Sequence, residues 1–287
     1  MALAKILICL DSDPQPSVFD GVVAVDSGVA QLFRHGGVKP GDVRDLVYGA
    51  LFTRGPTELK NTAVFIGGSD ANAGEALLKA ATDAFFGPMR VSVMLDSNGA
   101  NTTAAAAVLA ARRHVPLAGA IATVLAATGP VGRRVVRLLA AEGARVRVCS
   151  RKLTHAEATC DRVSRIVPGA ELSPCSNDTP MEAATAVEGS QLVISCGPPS
   201  VELMPKGSLA QAAGLQVAID LNAVPPYGLG DVEPTAKATK CGELVCYGAL
   251  GVGGTKMKIH KAAIAKLFTA NNLVLDADEI YALGKEL

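Results

Sequence analysis

The 287-residue chain contains no tryptophan, and only 4% of its residues are aromatic, so platforms on which nucleic-acid bases stack are not expected. It has no excess of either charge. Its 27 basic and 27 acidic residues leave a formal net charge of zero, and hence no global basic field to draw in nucleic acid. Four scattered histidines argue against a metal cluster. The seven cysteines are odd in number and none shows C-x-x-C spacing, which points to free, buried thiols in a reducing compartment. No apolar run reaches membrane-spanning length. The first apolar run soon meets Asp11 and Asp13, which reads as a first strand and not as a signal peptide. The expectation is a cytoplasmic protein with neither nucleic-acid nor membrane partners. At 49% hydrophobic and 19% charged, the chain is globular and long enough for two domains with cores of their own.

What is present centres on Ile121 to Lys152. Ile121 to Ala126 reads as a buried strand. The turn Ala127-Thr128-Gly129-Pro130-Val131-Gly132 follows, then a helix whose apolar face repeats at Val131, Val135, Leu138 and Leu139 and which Gly143 stops. Arg145 to Cys149 is a second strand. This βαβ layout suits a dinucleotide: Gly129 lets backbone approach a pyrophosphate, Gly132 lets the helix pack closely, and the first-turn N–H groups face the anion. Ala127 replaces the first glycine of G-x-G-x-x-G, so that turn is expected to differ in shape. An ordinary glycine-containing βαβ turn is the alternative. The second strand ends in Ser150, Arg151 and Lys152 with no carboxylate to bind a ribose 2′-hydroxyl. A hydroxyl and two cations suit a 2′-phosphate, which favours NADP, with NAD weaker; a solvated basic loop is the competing reading.

Along the chain, strands are expected over Ala4–Leu10, Thr62–Ile66, Arg90–Leu95, Leu192–Ser195 and Leu215–Leu221, with Val22–Val25 as a short strand or a continuation of the preceding segment. Helices are expected over Val43–Ala50, Ala71–Phe86 behind an Asp70 cap, Thr103–Arg113, Thr154–Ile166 and Met257–Phe268, with a short amphipathic one in the tail from Asp276. The alternation implies two α/β domains with parallel sheets, the second Rossmann-like. The domains are expected at residues 1–113 with about 270–287, and at 114–269. Four glycines between Gly248 and Gly254 read either as a flexible turn or as a close approach to a flat ligand.

Several stretches are similar to one family. Pro16-Ser17-Val18-Phe19-Asp20, Phe85-Phe86-Gly87-Pro88, Met94-Leu95-Asp96-Ser97-Asn98-Gly99, Asn101-Thr102-Thr103, Gly129-Pro130-Val131-Gly132, Arg151-Lys152, and Gly248-Ala249-Leu250-Gly251 with Lys256 resemble the bacterial NAD(P)-dependent methylene-tetrahydromethanopterin dehydrogenases, most nearly the NADP-dependent type. They span nearly the whole chain in order. The resemblance implies two α/β domains with the active site in the cleft between them, hydride transfer from a methylene-pterin to NADP in one-carbon oxidation from formaldehyde, and a homo-oligomer, a trimer among the candidates. It implies that Asp20, Thr102 and Lys256 lie near the reacting groups and that Arg151 and Lys152 hold the 2′-phosphate. Methylene-tetrahydrofolate is the second candidate substrate. A shikimate-type dehydrogenase and a non-catalytic nucleotide sensor are the other classes.

The remaining candidates lie in strand-end loops, where open α/β sheets bind ligands. Cys196, Gly197 and Asn222 join Thr128 to Gly132 and Ser150 to Lys152 for the cofactor. Phe19, Asp96, Asn98, Asn101, Gly253 and Gly254 are assigned to the substrate. The chemistry is compatible with this set. Hydride loss from a methylene between two nitrogens leaves a delocalised cation and abstracts no proton, so a histidine or cysteine base is not required; orientation and a field that tolerates positive charge are.

Overall fold

The computed structural model describes residues 3–287. In chain order the elements are β1 (Ile6–Asp11), α1 (Val18–Asp26), β2 (Gln31–His35), α2 (Pro40–Leu51), β3 (Thr62–Gly67), α3 (Ala71–Asp83), β4 (Ser92–Leu95), α4 (Ala100–Arg112), β5 (Ile121–Leu125), α5 (Pro130–Ala141), β6 (Arg145–Ser150), α6 (Leu153–Ile166), β7 (Leu172–Ser176), α7 (Pro180–Val187), β8 (Leu192–Ser195), β9 (Val217–Asp220), β10 (Lys237–Cys241), β11 (Leu244–Tyr247), α8 (Ala249–Lys266), β12 (Val274–Leu275) and α9 (Ala277–Gly284). Two compact units result: the residues up to Thr102 with Met257–Leu287, and Thr103–Lys256.

The first unit carries a five-stranded sheet in the order β2-β1-β3-β4-β12, with every pair parallel. Its central strand β3, TAVFIG, is buried at all positions, as expected where helices cover both faces of a parallel sheet. Leu10, Ile66, Leu77 and Leu95 lie at the core of this unit. Strand order reverses at β1 and β3, so the connections diverge there and open a crevice at the carboxyl ends. The valines at 22–25 belong to helix α1 and not to a strand. Ser17 caps that helix, accepting from the Asp20 N–H at 3.2 Å, and the helical period turns Val18, Val22 and Val25 outward while Val23 and Ala24 are buried. The tail returns to this unit, where β12 extends the sheet beside β4.

The second unit has seven strands in the order β7-β6-β5-β8-β9-β11-β10. The first six form the parallel doubly wound arrangement that turns over between β5 and β8. β10 is the exception among the parallel pairs: it runs antiparallel to β11 as an exposed edge strand, joined through Gly242 at φ +65°. The glycine-rich run is also not a flexible turn, because helix α8 begins at Ala249. A side chain at Gly248 or Gly251 would collide with the carbonyl oxygens of Glu233 and Ala236, so these glycines let the helix start against that segment. No helix among the described residues is long and apolar enough to cross a membrane.

Candidate active site

At the carboxyl end of the first sheet, polar side chains replace the apolar core. Asp11 ends β1 almost fully buried and organises the following loop, accepting from the backbone N–H groups of Asp13 and Ser17 at 2.8 and 3.1 Å. Asp20, partly buried, lies in the first turn of α1. After β4, Asn98 and Gly99 adopt left-handed backbone, each at φ 57°, a conformation asparagine and glycine tolerate best. That turn brings Asp96 over the start of α4. Its Oδ1 accepts from the N–H groups of Asn101 and Thr102 at 2.9 and 3.0 Å, and its Oδ2 accepts from the Thr102 hydroxyl at 2.7 Å. Asn101 donates to Leu95 O and to Asp276 at the head of α9. Asp96, Asn101 and Thr102 are thus buried and engaged with the protein, whereas Asn98 and Phe19 are exposed.

The sequence reading passed over His260. This residue is 1% exposed on α8, with its ring stacked on Phe65 at a centroid distance of 5.7 Å. Its Nε2 lies 4.0 Å from Asp20 Oδ1 and its Nδ1 lies 3.9 Å from Asp96 Oδ2, so the imidazole sits between two carboxylates, one from the first turn of α1 and one from the loop after β4. The signal was the spacing from Lys256: four residues apart on one helix, the two share a face. Gly253, one turn before Lys256, and Gly254 have no atom within 4 Å of where a Cβ would stand. The fold thus gathers Asp20, Asp96, Thr102 and His260 in the first unit, while Lys256 is the last residue of the second.

At the carboxyl end of the second sheet the arrangement is nearly bare. The turn after β5 passes through Ala126 at φ 52°, which puts a non-glycine residue in left-handed backbone, and then through the fully buried Ala127. A Cβ at Gly132 would lie 2.6 Å from the Ala127 carbonyl oxygen, so this glycine is demanded by helix–turn packing. Gly129 is different. Its φ of −72° suits any residue, and nothing lies within 4 Å of a Cβ there. It opens α5 without a side-chain cap, next to Pro130 in the first turn. Thr128, Pro130 and Val131 are part-exposed around it. Ser150 is buried at the end of β6, and Arg151 and Lys152 are exposed beyond it. Cys196 and Gly197 follow β8 across the point of strand reversal, half-buried.

The loop after β9 is held by a carboxylate that the sequence reading also missed. Buried Asp220 accepts from Asn222 N at 3.1 Å and Leu229 N at 2.9 Å, and burial raises its pKa above the ordinary carboxylate value. Asn222 in turn accepts from Val224 N and donates to Pro226 O, framing the cis Pro225–Pro226 bond. An open glycine and an uncapped helix N-terminus fit the pyrophosphate of a nicotinamide dinucleotide, with exposed cations beyond the neighbouring strand.

Two α/β units with largely parallel sheets, the second doubly wound, define a Rossmann-like α/β protein. A shikimate 5-dehydrogenase from Listeria monocytogenes, solved with shikimate and NAD, shares the fold at a TM-score of 0.55 and 12% identity, covering 98% of this chain and 96% of that one. Residues 18–98 match the family described as methylene-tetrahydromethanopterin dehydrogenase, N-terminal. The bifunctional protein MdtA of Methylorubrum extorquens is 43% identical over 286 residues, 99% of each chain. The NAD(P)-dependent methylenetetrahydromethanopterin dehydrogenase of the same organism is 30% identical over 94% of each. The chain belongs to the methylenetetrahydromethanopterin dehydrogenase family.

Proposed function

We propose that this protein is a dehydrogenase that moves a hydride from the methylene group of methylene-tetrahydromethanopterin to NADP, leaving the methenyl cation. The observation that carries the reading is the similarity over 94% of each chain to the NAD(P)-dependent methylenetetrahydromethanopterin dehydrogenase at 30% identity, with the family match over residues 18–98 beside it. The acidic end of the first sheet supports it chemically. Asp11, Asp20 and Asp96 set a negative field in a poorly solvated place, where such a field acts most strongly on a developing cation. Asp20 is the carboxylate closest in role to the reacting carbon. Asp96 and Thr102 act through each other: the carboxylate fixes the hydroxyl and the start of α4. His260 is proposed to fix Asp20 from behind, and Lys256 to orient the pterin. Phe19, Asn98, Gly253 and Gly254 are proposed as pterin contacts, with Asn101 holding the loop that presents them.

For the cofactor, Thr128 to Gly132 would cradle the pyrophosphate, Ser150, Arg151 and Lys152 the 2′-phosphate, and Cys196, Gly197 and Asn222 the nicotinamide side. The bound nucleotide supplies the carbon that accepts the hydride. No residue need move a proton, so the rate rests on distance, orientation and field. Reduction of NADP and NAD, followed by absorbance with methylene-tetrahydromethanopterin and methylene-tetrahydrofolate in turn, tests the reading. Turnover is expected with the methanopterin substrate and NADP; NADP binding without turnover on either pterin would contradict it. Assembly into a homo-oligomer is part of the proposal, and a strictly monomeric mass by light scattering at micromolar concentration would contradict that part.

A further inference from the structure

Cys149 and Cys175 face each other across adjacent parallel strands. They are direct register partners of β6 and β7, flanked by the Val148–Pro174 and Ser150–Ser176 pairs. Neighbouring strands stand about 4.8 Å apart, inside the Cα separation of about 4.4–6.8 Å that a disulfide spans. Cys149 is fully buried, Cys175 is half-buried, and both are free thiols, neighbours across the strand pair that also donate to carbonyls of their own strands, Arg147 O at 3.9 Å and Ser173 O at 3.7 Å. The contact from Cys149, with the Arg147 guanidinium adding to it, holds the Cys175 thiol below its ordinary pKa; the same contact and burial hold Cys149 above its own. One thiol is thus reachable and inclined to ionise, and the other waits beside it as a protonated partner, the arrangement of an attacking and a resolving cysteine. The exposed Cys241 and buried Cys246 are also in contact, but they are not register partners: Cys241 faces Leu244 and Cys246 faces Thr239.

We propose that Cys149 and Cys175 form a peroxide-oxidisable thiol pair whose closure to a disulfide disturbs the Ser150–Lys152 end of β6. In the first step the Cys175 thiolate attacks one peroxide oxygen. The O–O bond breaks, water leaves after taking up a proton, and Cys175 becomes a sulfenic acid. In the second, the Cys149 sulfur attacks the Cys175 sulfur, the S–O bond breaks, and the Cys149 proton leaves with the hydroxyl as water. Two thiols and one hydrogen peroxide give one disulfide and two waters. The new bond lies one residue before Ser150 and Ser176, and Asn177 N donates to Ser150 O at 3.1 Å, so shifting the strand ends re-aims Ser150 and Arg151. This consequence rests on the proposed NADP site.

The test treats the full-length protein with hydrogen peroxide, blocks remaining thiols, and maps peptides by mass spectrometry. A cross-linked Cys149–Cys175 peptide is expected, about 2 Da lighter than its two thiol parts, absent from Cys175→Ser and removed by dithiothreitol. A Cys241–Cys246 link alone, or oxygen addition at Cys175 with no cross-link, would overturn the pair. NADP titration then follows the consequence: the oxidised wild type should bind about tenfold more weakly, as when one charge-assisted contact is lost, with reduced wild type and Cys175→Ser alike. A mapped disulfide with unchanged NADP affinity would overturn the coupling. If Arg151→Ala, kept reduced, bound NADP as the wild type does, the NADP site itself would be at fault and the thiol pair would stand.

Discussion

The two units use the same device, a crevice where strand order reverses, and fill it in opposite ways. In the first, the crevice holds side chains: Asp11, Asp96, Thr102 and His260 are buried there, from the end of β1, the loop after β4, α4 and α8. In the second, the turn after β5 presents backbone: Gly129 opens onto free space and α5 starts without a side-chain cap, with Arg151 and Lys152 exposed beyond β6 and Asp220 buried behind the loop after β9. The difference matches the two ligands proposed. A pyrophosphate is a fixed anion that N–H groups can hold, whereas a pterin about to become a cation requires carboxylates whose directions are set in advance.

The largest effect that would break this comparison is at Asp96. Asp96→Ala removes the acceptor for two backbone N–H groups and one hydroxyl, all buried, and should cost about 3 kcal/mol in urea unfolding. Asp96→Asn, which keeps one oxygen, should recover part of it. A loss below about 0.5 kcal/mol would mean that the first crevice is not held by this carboxylate. Next comes the glycine contrast in the second unit. Gly132→Ala drives a methyl group into the Ala127 backbone and should cost about 2–3 kcal/mol. Gly129→Ala meets open space and should leave stability within about 1 kcal/mol while weakening NADP and NAD alike. Thermal melts and dinucleotide titrations on the two variants separate packing from ligand approach.

Smaller, and specific to the rim, Arg151→Ala should weaken NADP by about 2 kcal/mol, roughly thirtyfold, and leave NAD unchanged; equal losses would return Arg151 to the solvated loop. The smallest effect is the pH dependence carried by Asp220. Its folded pKa is raised by burial, so the folded chain holds this proton more tightly than the unfolded one. The contribution is therefore full below the ordinary carboxylate range and is lost as pH rises through the folded value. Urea midpoints across that window should fall less steeply with pH in Asp220→Asn than in the wild type. Parallel pH profiles would show that burial does not govern this group.

The same comparison explains what could be read from the chain. The second crevice was legible because its parts are contiguous: Ile121 to Lys152 holds the strand, turn, helix and second strand in one span, and Gly132 packs as the motif requires. The first was legible only in part. Asp20, the polar run from Asp96 to Thr102, and His260 come from three separate segments, and no local pattern says that they meet. His260 was passed over: hydride transfer needs no base, but that says nothing about a ring lying between two carboxylates. The edge strands β2, β7 and β10 were missed because exposed, mixed sequences such as QLFRH and KATKC carry no apolar run. The glycines of α8 concealed a helix, since at Gly251 close approach to the Ala236 carbonyl overrides glycine's low helix propensity, with Gly248 packed just as closely on Glu233 one residue before the helix.

The most direct test of the central claim is the single-turnover rate of hydride transfer in Asp20→Asn at saturating NADP, measured with protiated and deuterated methylene-tetrahydromethanopterin. If the first crevice acts by field and the second by binding, the rate should fall about a hundredfold, with a primary isotope effect still visible and NADP affinity unchanged. A wild-type rate in this variant would contradict the account.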